Sequence, residues 1–344
     1  MIPVFDGHND ILLRLSEAGG DRSFLTESET GHLDLPRARR GGFAGGLFAI
    51  FVPGASRATP ADAPRAPYSL PLSEPVRTHE AEEKAERLAG LLFELETQGA
   101  LRVVRSAAEI EECMESGAIA AVLHFEGAEA LRSLERLEAW HARGLRSLGL
   151  VWSRANAYAE GVPFRFPGSP DTGPGLSDKG RALVRECNRL GILVDLSHLN
   201  LRGFFDVADI AEAPLVASHS NAHALCPSTR NLTDEELDAI ARSNGLVGVN
   251  FAVGFLREDG QLEADDTPLD TVVRHVEYLV ERMGIDHVGF GSDFEGAHPP
   301  ADLGDVSRLP ALLDALRTAG YDDAALRKLA HENWIRVLRD TWGV

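Results

Sequence analysis

The chain has 344 residues, 44% of them hydrophobic, with 34 Lys and Arg against 53 Asp and Glu for a net charge of −19. That composition belongs to a globular protein rather than a disordered one. So acidic a surface repels phosphate backbones, which argues against general nucleic-acid binding. Cys113, Cys187 and Cys226 have no close spacing, make no disulfide framework and fit a reducing compartment. The opening MIPVFDGHND lacks the pattern of a signal peptide, and no apolar stretch of about 18 residues offers a membrane span. A soluble, cytoplasmic protein is expected.

The chain opens on a short apolar segment, Ile2 to Phe5, that breaks into Asp-Gly-His-Asn-Asp. A second apolar run covers Gly46 to Val52, and the Pro-, Ala- and Ser-rich residues 53–76 read as a long loop. Strong helix formers predict a helix from Thr78 to Gln98. A rhythm follows. AIAAVLHF ends at Phe125 before a helical stretch over 128–143. GLRSLGLVW ends at Trp152 before a Gly- and Pro-rich excursion over 153–176 and a helical stretch over 177–190. ILVDLSH ends at His198, again followed by helix, and APLVASH ends at His219. Thr233, with Glu236 three residues on, has the pattern of a capping box. LVGVNF, a long helix from about Thr267 to Met283, the strand HVGFGSD and a helical tail interrupted at Gly320 complete the chain.

Eight apolar strands, near residues 3, 48, 121, 147, 194, 216, 248 and 288, thus alternate with amphipathic helices. The pattern predicts an α/β protein, a (β/α)8 TIM-type barrel over residues 1–344 as one domain, with long loops near 53–76 and 153–176. An open doubly wound sheet is the alternative, weakened because no GxGxxG follows the first strand.

His, Asp and Glu recur where these strands end. His8 and Asp10 close the first, Glu126 the third, His198 and His219 the fifth and sixth, and Asp293 the last. In a barrel such strand ends converge on one face. The i, i+2 spacing of His8 and Asp10 puts both on one side if the strand continues, and imidazole and carboxylate suit zinc. Local turn bonding is the plainer reading. His198 and His219, each in a Ser-His step, are either ligands or polar caps. Glu126 either spans two cations or is a solvated neighbour of a helix start. His8 with Asp10, and His198 with His219, would then hold one cation each around a shared water. Asp293, among Gly289, Gly291 and Gly296, either orients that water and moves its proton or caps a loop. His124 reads as packing, and His223 and His298 are secondary candidates. Arg230 is a surface or capping residue, or a buried guanidinium for a substrate carboxylate. Trp152, Asn156, Tyr158 and Phe251 are pocket candidates, with core packing an equal reading for the last two.

These residues together resemble the renal or membrane dipeptidase family of zinc metallopeptidases. The resemblance covers almost the whole chain: DGHND at 6–10, FEGAEAL at 125–131, DLSHLN at 195–200, SHSNAHAL at 218–225, RNLTDEEL at 230–237 and GFGSDFEG at 289–296. It implies a (β/α)8 barrel, commonly dimeric, with two Zn2+ ions. It places His8 and Asp10 on one zinc, His198 and His219 on the other, and Glu126 across both. Asp293 matches the acidic residue near the bridging water, and Arg230 the residue that receives a terminal carboxylate. Trp152 stands where the renal enzyme has a histidine, replacing a small polar contact with an apolar wall. The signal, anchor and disulfide features of secreted relatives are missing, as in a bacterial-type intracellular member. The implied activity is hydrolysis of dipeptides, including those with a C-terminal D-residue, by a hydroxide shared between the metals. Hydrolysis of N-acyl amino acids or small cyclic amides is the nearest alternative, and a non-enzymatic metal-dependent binding protein the other.

Overall fold

Eight parallel strands close on themselves in chain order: β1 (Val4–Asn9), β2 (Phe43–Phe51), β3 (Ala120–Glu126), β4 (Leu145–Gly149), β5 (Leu193–Asp195), β6 (Val216–Ser220), β7 (Leu246–Val249) and β8 (Val288–Phe290). The computed structural model describes residues 1–54 and 65–343. Each strand pairs with the next, and β8 returns to β1 through Asp6 and Phe290. The β2–β3 ladder runs without a break from Gly45 opposite Ala120 to Phe51 opposite Glu126. The chain is a (β/α)8 barrel, as its alternation predicts, and all eight expected strands are present.

The helical expectations hold for Thr78–Thr97, Asp178–Leu190, Leu201–Ala208, Asp234–Arg242 and Asp270–Met283. The capping box forms in both directions, because Thr233 accepts from the Glu236 amide while Glu236 accepts from the Thr233 amide. The helix expected over 128–143 begins only at Leu134. Upstream, the backbone groups are engaged elsewhere: the Ala128 amide donates to Leu150 and the Tyr158 hydroxyl to the Leu131 carbonyl. A helix that the sequence reading passed over, Ala107–Ser116, starts on its own capping box, Ser106 with Glu109. Of the loop expected over 53–76, residues 55–64 lie outside the described residues. Beyond them, Tyr68–Ser69 pairs antiparallel with Arg165–Phe166, so the two long excursions meet in a small ribbon.

One end of the barrel interior is apolar. Phe5, Leu47, Val122, Leu193, Val216 and Leu246 cluster there with Trp334, which arrives from the C-terminal helix and donates its ring N–H to the Phe290 carbonyl. A methyl on Gly7 would sit 2.4 Å from the Trp334 ring and 2.3 Å from the Ser218 carbonyl. Only glycine leaves room for that plug. The opposite end, where the strands finish, is lined by buried polar residues, among them His8, Glu126, His198 and His219. Among the described residues no helix is long and apolar enough to cross a membrane, and all three cysteines are free and buried.

Candidate metal centre

β1 carries His8 into the polar mouth. The register of β1 against β2 shifts between Asp6 and Asn9, and Asp10 no longer belongs to the strand. It starts the helix Ile11–Ala18 at φ −105° and ψ 24°. The same-face spacing expected of a continuing strand is therefore replaced by a strand-to-helix turn, which still leaves His8 Nε2 3.6 Å from Asp10 Oδ2. Glu126, the last residue of β3, places Oε2 3.7 Å from His8 Nε2, and Oε1 3.0 Å from His198 Nε2 and 3.6 Å from His219 Nε2. His8 and His219 stack with ring centroids 3.9 Å apart. Two overlapping groups, His8–Glu126–His219 and His8–Asp10–Asp293, each hold their donor atoms within 4.8 Å of one another.

The backbone is bent to achieve this. His198 and Asp293 have φ of 67° and 59°, a left-handed conformation that costs a non-glycine residue about 1–3 kcal/mol and recurs where a site demands it. Asp6 fastens the second bend. Its carboxylate accepts from the Ser292 amide at 2.6 Å and hydroxyl at 2.8 Å, while that hydroxyl also reaches the His8 carbonyl.

The histidine tautomers follow from their neighbours. Ser218 donates its hydroxyl to Asp195 Oδ2 at 2.6 Å and lies 2.7 Å from His219 Nδ1. With the serine proton on Asp195, His219 donates from Nδ1 and keeps an open lone pair on Nε2. Ser153 occupies His198 Nδ1 at 2.9 Å. The two Nε2 atoms then face each other at 3.1 Å. Burial, with the nearby Arg230 and His8 charges, holds both imidazoles well below their usual range and neutral, the form that ligates a metal.

Electrostatics around His8 run the other way. Burial opposes its charge, but Glu126, Asp10 and Asp293 outweigh that and hold it up at about 10. Burial and the other carboxylates push Asp293 to about 6 and Glu126 well above the usual range. Three carboxylates in one place, Asp10 and Glu126 buried and Asp293 half-buried, call for positive charge. His8 is fully buried with neither ring nitrogen hydrogen-bonded, and Asp10 Oδ1 is also unpartnered. Native proteins seldom leave such groups unmatched. The nitrogen and oxygen donors, the neutral His198 and His219 imidazoles and the spacing fit a pair of divalent cations, whose charge would take the place of the His8 proton.

Arg230 sits beside this cluster at 3% exposure. It donates from Nη2 to the His219 carbonyl at 3.1 Å, its guanidinium carbon lies 5.3 Å from the Phe255 ring centre, and its Nε has no partner. Burial lowers its pKa to about 10, which leaves it charged at neutral pH. Trp152 is half-buried, 5.8 Å from the His198 ring and packed between Phe51 and Phe164. Asn156 turns away from the cluster: its side-chain amide donates to the Leu150 carbonyl and accepts from the Tyr158 and Ala159 amides within its own loop. Tyr158 and Phe251 are core residues. His124 bonds Ser147 at 2.9 Å and lies 3.7 Å from Asp195. His223 bonds Gly168 and His298 faces Asp265. Sequence reasoning passed over Asp6, Ser153, Asp195, Ser218 and Asn250. Their only signal was position, next to a strand-end histidine or within a polar strand exit.

A parallel eight-stranded barrel with a buried imidazole–carboxylate cluster where its strands end is the architecture of a metal-dependent hydrolase. Residues 1–343 match the membrane dipeptidase family, peptidase family M19, and the chain belongs to it. Among solved structures, a metallopeptidase from Rhodobacter sphaeroides, liganded with a phosphinate mimic of the dipeptide L-Ala-D-Ala, superposes with a TM-score of 0.95 at 52% identity over 99% of each chain. A second metallopeptidase of the same family, dipeptidase AC, gives a TM-score of 0.93 at 51% identity over 100% of this chain and 99% of that one. An uncharacterized protein from the pqqA 5′ region of Klebsiella pneumoniae is 52% identical over 245 residues, 71% of this chain and 90% of that protein.

Proposed function

We propose that this chain is a binuclear metallo-dipeptidase that cleaves the peptide bond of dipeptides bearing a free C-terminal carboxylate. One observation carries the reading: a cradle of unpartnered buried donors adjoins a buried guanidinium whose Nε is also unpartnered. The cradle suits metals, and the guanidinium beside it suits a carboxylate at short range. The dipeptide mimic held by the R. sphaeroides relative supports including substrates that end in a D-residue.

In this reading His8 and Asp10 would hold one cation and His198 and His219 the other, with Glu126 supplying a carboxylate to both. Two Zn2+ ions there would make water nucleophilic at neutral pH and polarise the scissile carbonyl. Asp293 accepts the proton of the attacking water and returns it to the leaving amine nitrogen. Arg230 grips the terminal carboxylate with two parallel hydrogen bonds, which fixes how far the scissile bond lies from the chain end and disfavours longer peptides. Trp152 walls the pocket beside His198, and Asn156 shapes the loop behind that wall. Residues 1–344 form one catalytic unit that works in the cytoplasm, and the family resemblance supports a homodimer.

The deciding experiment loads purified protein with zinc, counts bound metal, and compares L,L and L,D dipeptides with matched N-acyl amino acids. About two metals per chain and faster turnover of dipeptides are expected. Preference for the acyl compounds would reassign the substrate, and no turnover of either by fully loaded protein would leave a metal-dependent binding protein.

A further inference from the structure

Asn250, just past β7, is fully buried and makes an ordered set of bonds. Its side-chain oxygen accepts from the Ala252 amide at 2.6 Å, which fixes the orientation of the amide group. Its Nδ2 must then be the atom that donates to Asp293 Oδ2 at 3.0 Å. The second Nδ2 proton has the His219 carbonyl at 3.5 Å, the same oxygen that accepts from Arg230. Asn221 locks Asn250 from behind, since its side chain donates to the Asn250 carbonyl at 2.9 Å and accepts from the Asn250 amide at 3.2 Å. Asp293 needs such a hold because its backbone is left-handed and its carboxylate stands in a mouth crowded with other acids.

We propose that Asn250 is a positioning residue that anchors one oxygen of Asp293 and leaves the other, Oδ1, free for proton transfer. The inference rests on the acid–base role assigned to Asp293 above. Anchoring Oδ2 stops the carboxylate from rotating, and Oδ1 is left on the Asp10 side: a methyl on Gly296 would lie 2.3 Å from it and 2.1 Å from Asp10 Oδ2.

The two ends of the Asn250 amide can be separated by mutation. Asn250→Asp keeps the volume and the acceptor for the Ala252 amide but sets a second carboxyl against Asp293, which repels it or shares its proton. Asn250→Ala loses both bonds and adds no charge. A purely structural role lowers the melting temperature and leaves the kcat of Asn250→Ala near the parent's. A positioning role makes both variants lose kcat by roughly 10- to 100-fold, the scale of a misplaced reacting group, with KM within about threefold of the parent. Metal content is counted and melting temperature read for each variant, and Asp293→Asn is assayed alongside. Loss of kcat in both variants, including the uncharged Asn250→Ala, with parental metal content supports the inference. Parental kcat in Asn250→Ala overturns it. A rise in KM alone moves the effect to the His219 carbonyl and Arg230, and a parallel loss of metal moves it to the His219 ring; either overturns it as well. An active Asp293→Asn overturns the acid–base reading beneath it, a result distinct from all of these.

Discussion

Replacing Arg230 with methionine keeps most of the side chain's length and removes the guanidinium. In the structure that group is 3% exposed, has no partner on Nε and holds the His219 carbonyl at 3.1 Å. A substrate carboxylate that takes two charge-assisted bonds from it gains about 1.5–3 kcal/mol from each before desolvation. The net loss on truncating one partner of such a buried pair is about 2–5 kcal/mol. At about 1.4 kcal/mol per tenfold, kcat/KM should fall roughly 30- to 4,000-fold. The control is a dipeptide amide, which keeps the scissile bond and lacks the terminal charge. Wild-type enzyme should lose a comparable factor on moving to the amide, and Arg230→Met should lose little further. Measuring kcat/KM for the four enzyme–substrate pairs, with metal content checked in both proteins, gives the coupling directly. If the variant falls equally on the dipeptide and on its amide, Arg230 does not read the carboxylate and the reasoning fails.

Three further outcomes follow from the geometry. Arg154 and Glu129 are buried together, Nε 3.1 Å from Oε1 though out of hydrogen-bonding line, with the guanidinium carbon 5.4 and 5.1 Å from the Phe51 and Trp152 ring centres. Arg154→Met strands the Glu129 carboxyl and should cost about 3–5 kcal/mol. For 344 residues the unfolding entropy makes that a drop of roughly 4–7 K in Tm, partly recovered by adding Glu129→Gln; a drop under about 1 K would contradict it.

Burial raises Glu236 from 4.5 to about 7. A raised carboxyl favours the folded state fully below pH 4.5 and loses that contribution as pH climbs through 7, a change of about 3 kcal/mol. Glu236→Gln keeps an oxygen for the Thr233 amide and hydroxyl, so urea titrations of metal-free protein should show its stability falling less than the parent's across that window. Parallel pH curves would refute the assignment. Gly296→Ala would push its methyl into Asp10 Oδ2 and Asp293 Oδ1, although its own backbone is not left-handed. Zinc affinity should fall by about 10- to 100-fold with unchanged circular dichroism, and parental affinity would show that the two carboxylates yield freely.

The amino-acid sequence by itself determined the barrel. Strands covered on both faces must be apolar throughout, so all eight stood out as short runs between amphipathic helices. It also determined which charged residues stand at one end, because strand exits in such a barrel share a face. Tertiary structure decided what those residues touch. His8 and Asp10 meet across a strand-to-helix turn rather than along a strand, and Glu129 lies in a turn because Leu150 and Tyr158 claim the backbone around it. Asn156 turned inward to its own loop, while Asn250, an unremarked polar residue after LVGV, took hold of Asp293 from 43 residues away. Periodicity records which face of an element is buried. A hydrogen bond between two elements depends on their separation to within a fraction of an ångström, and that distance is set only when the whole barrel closes.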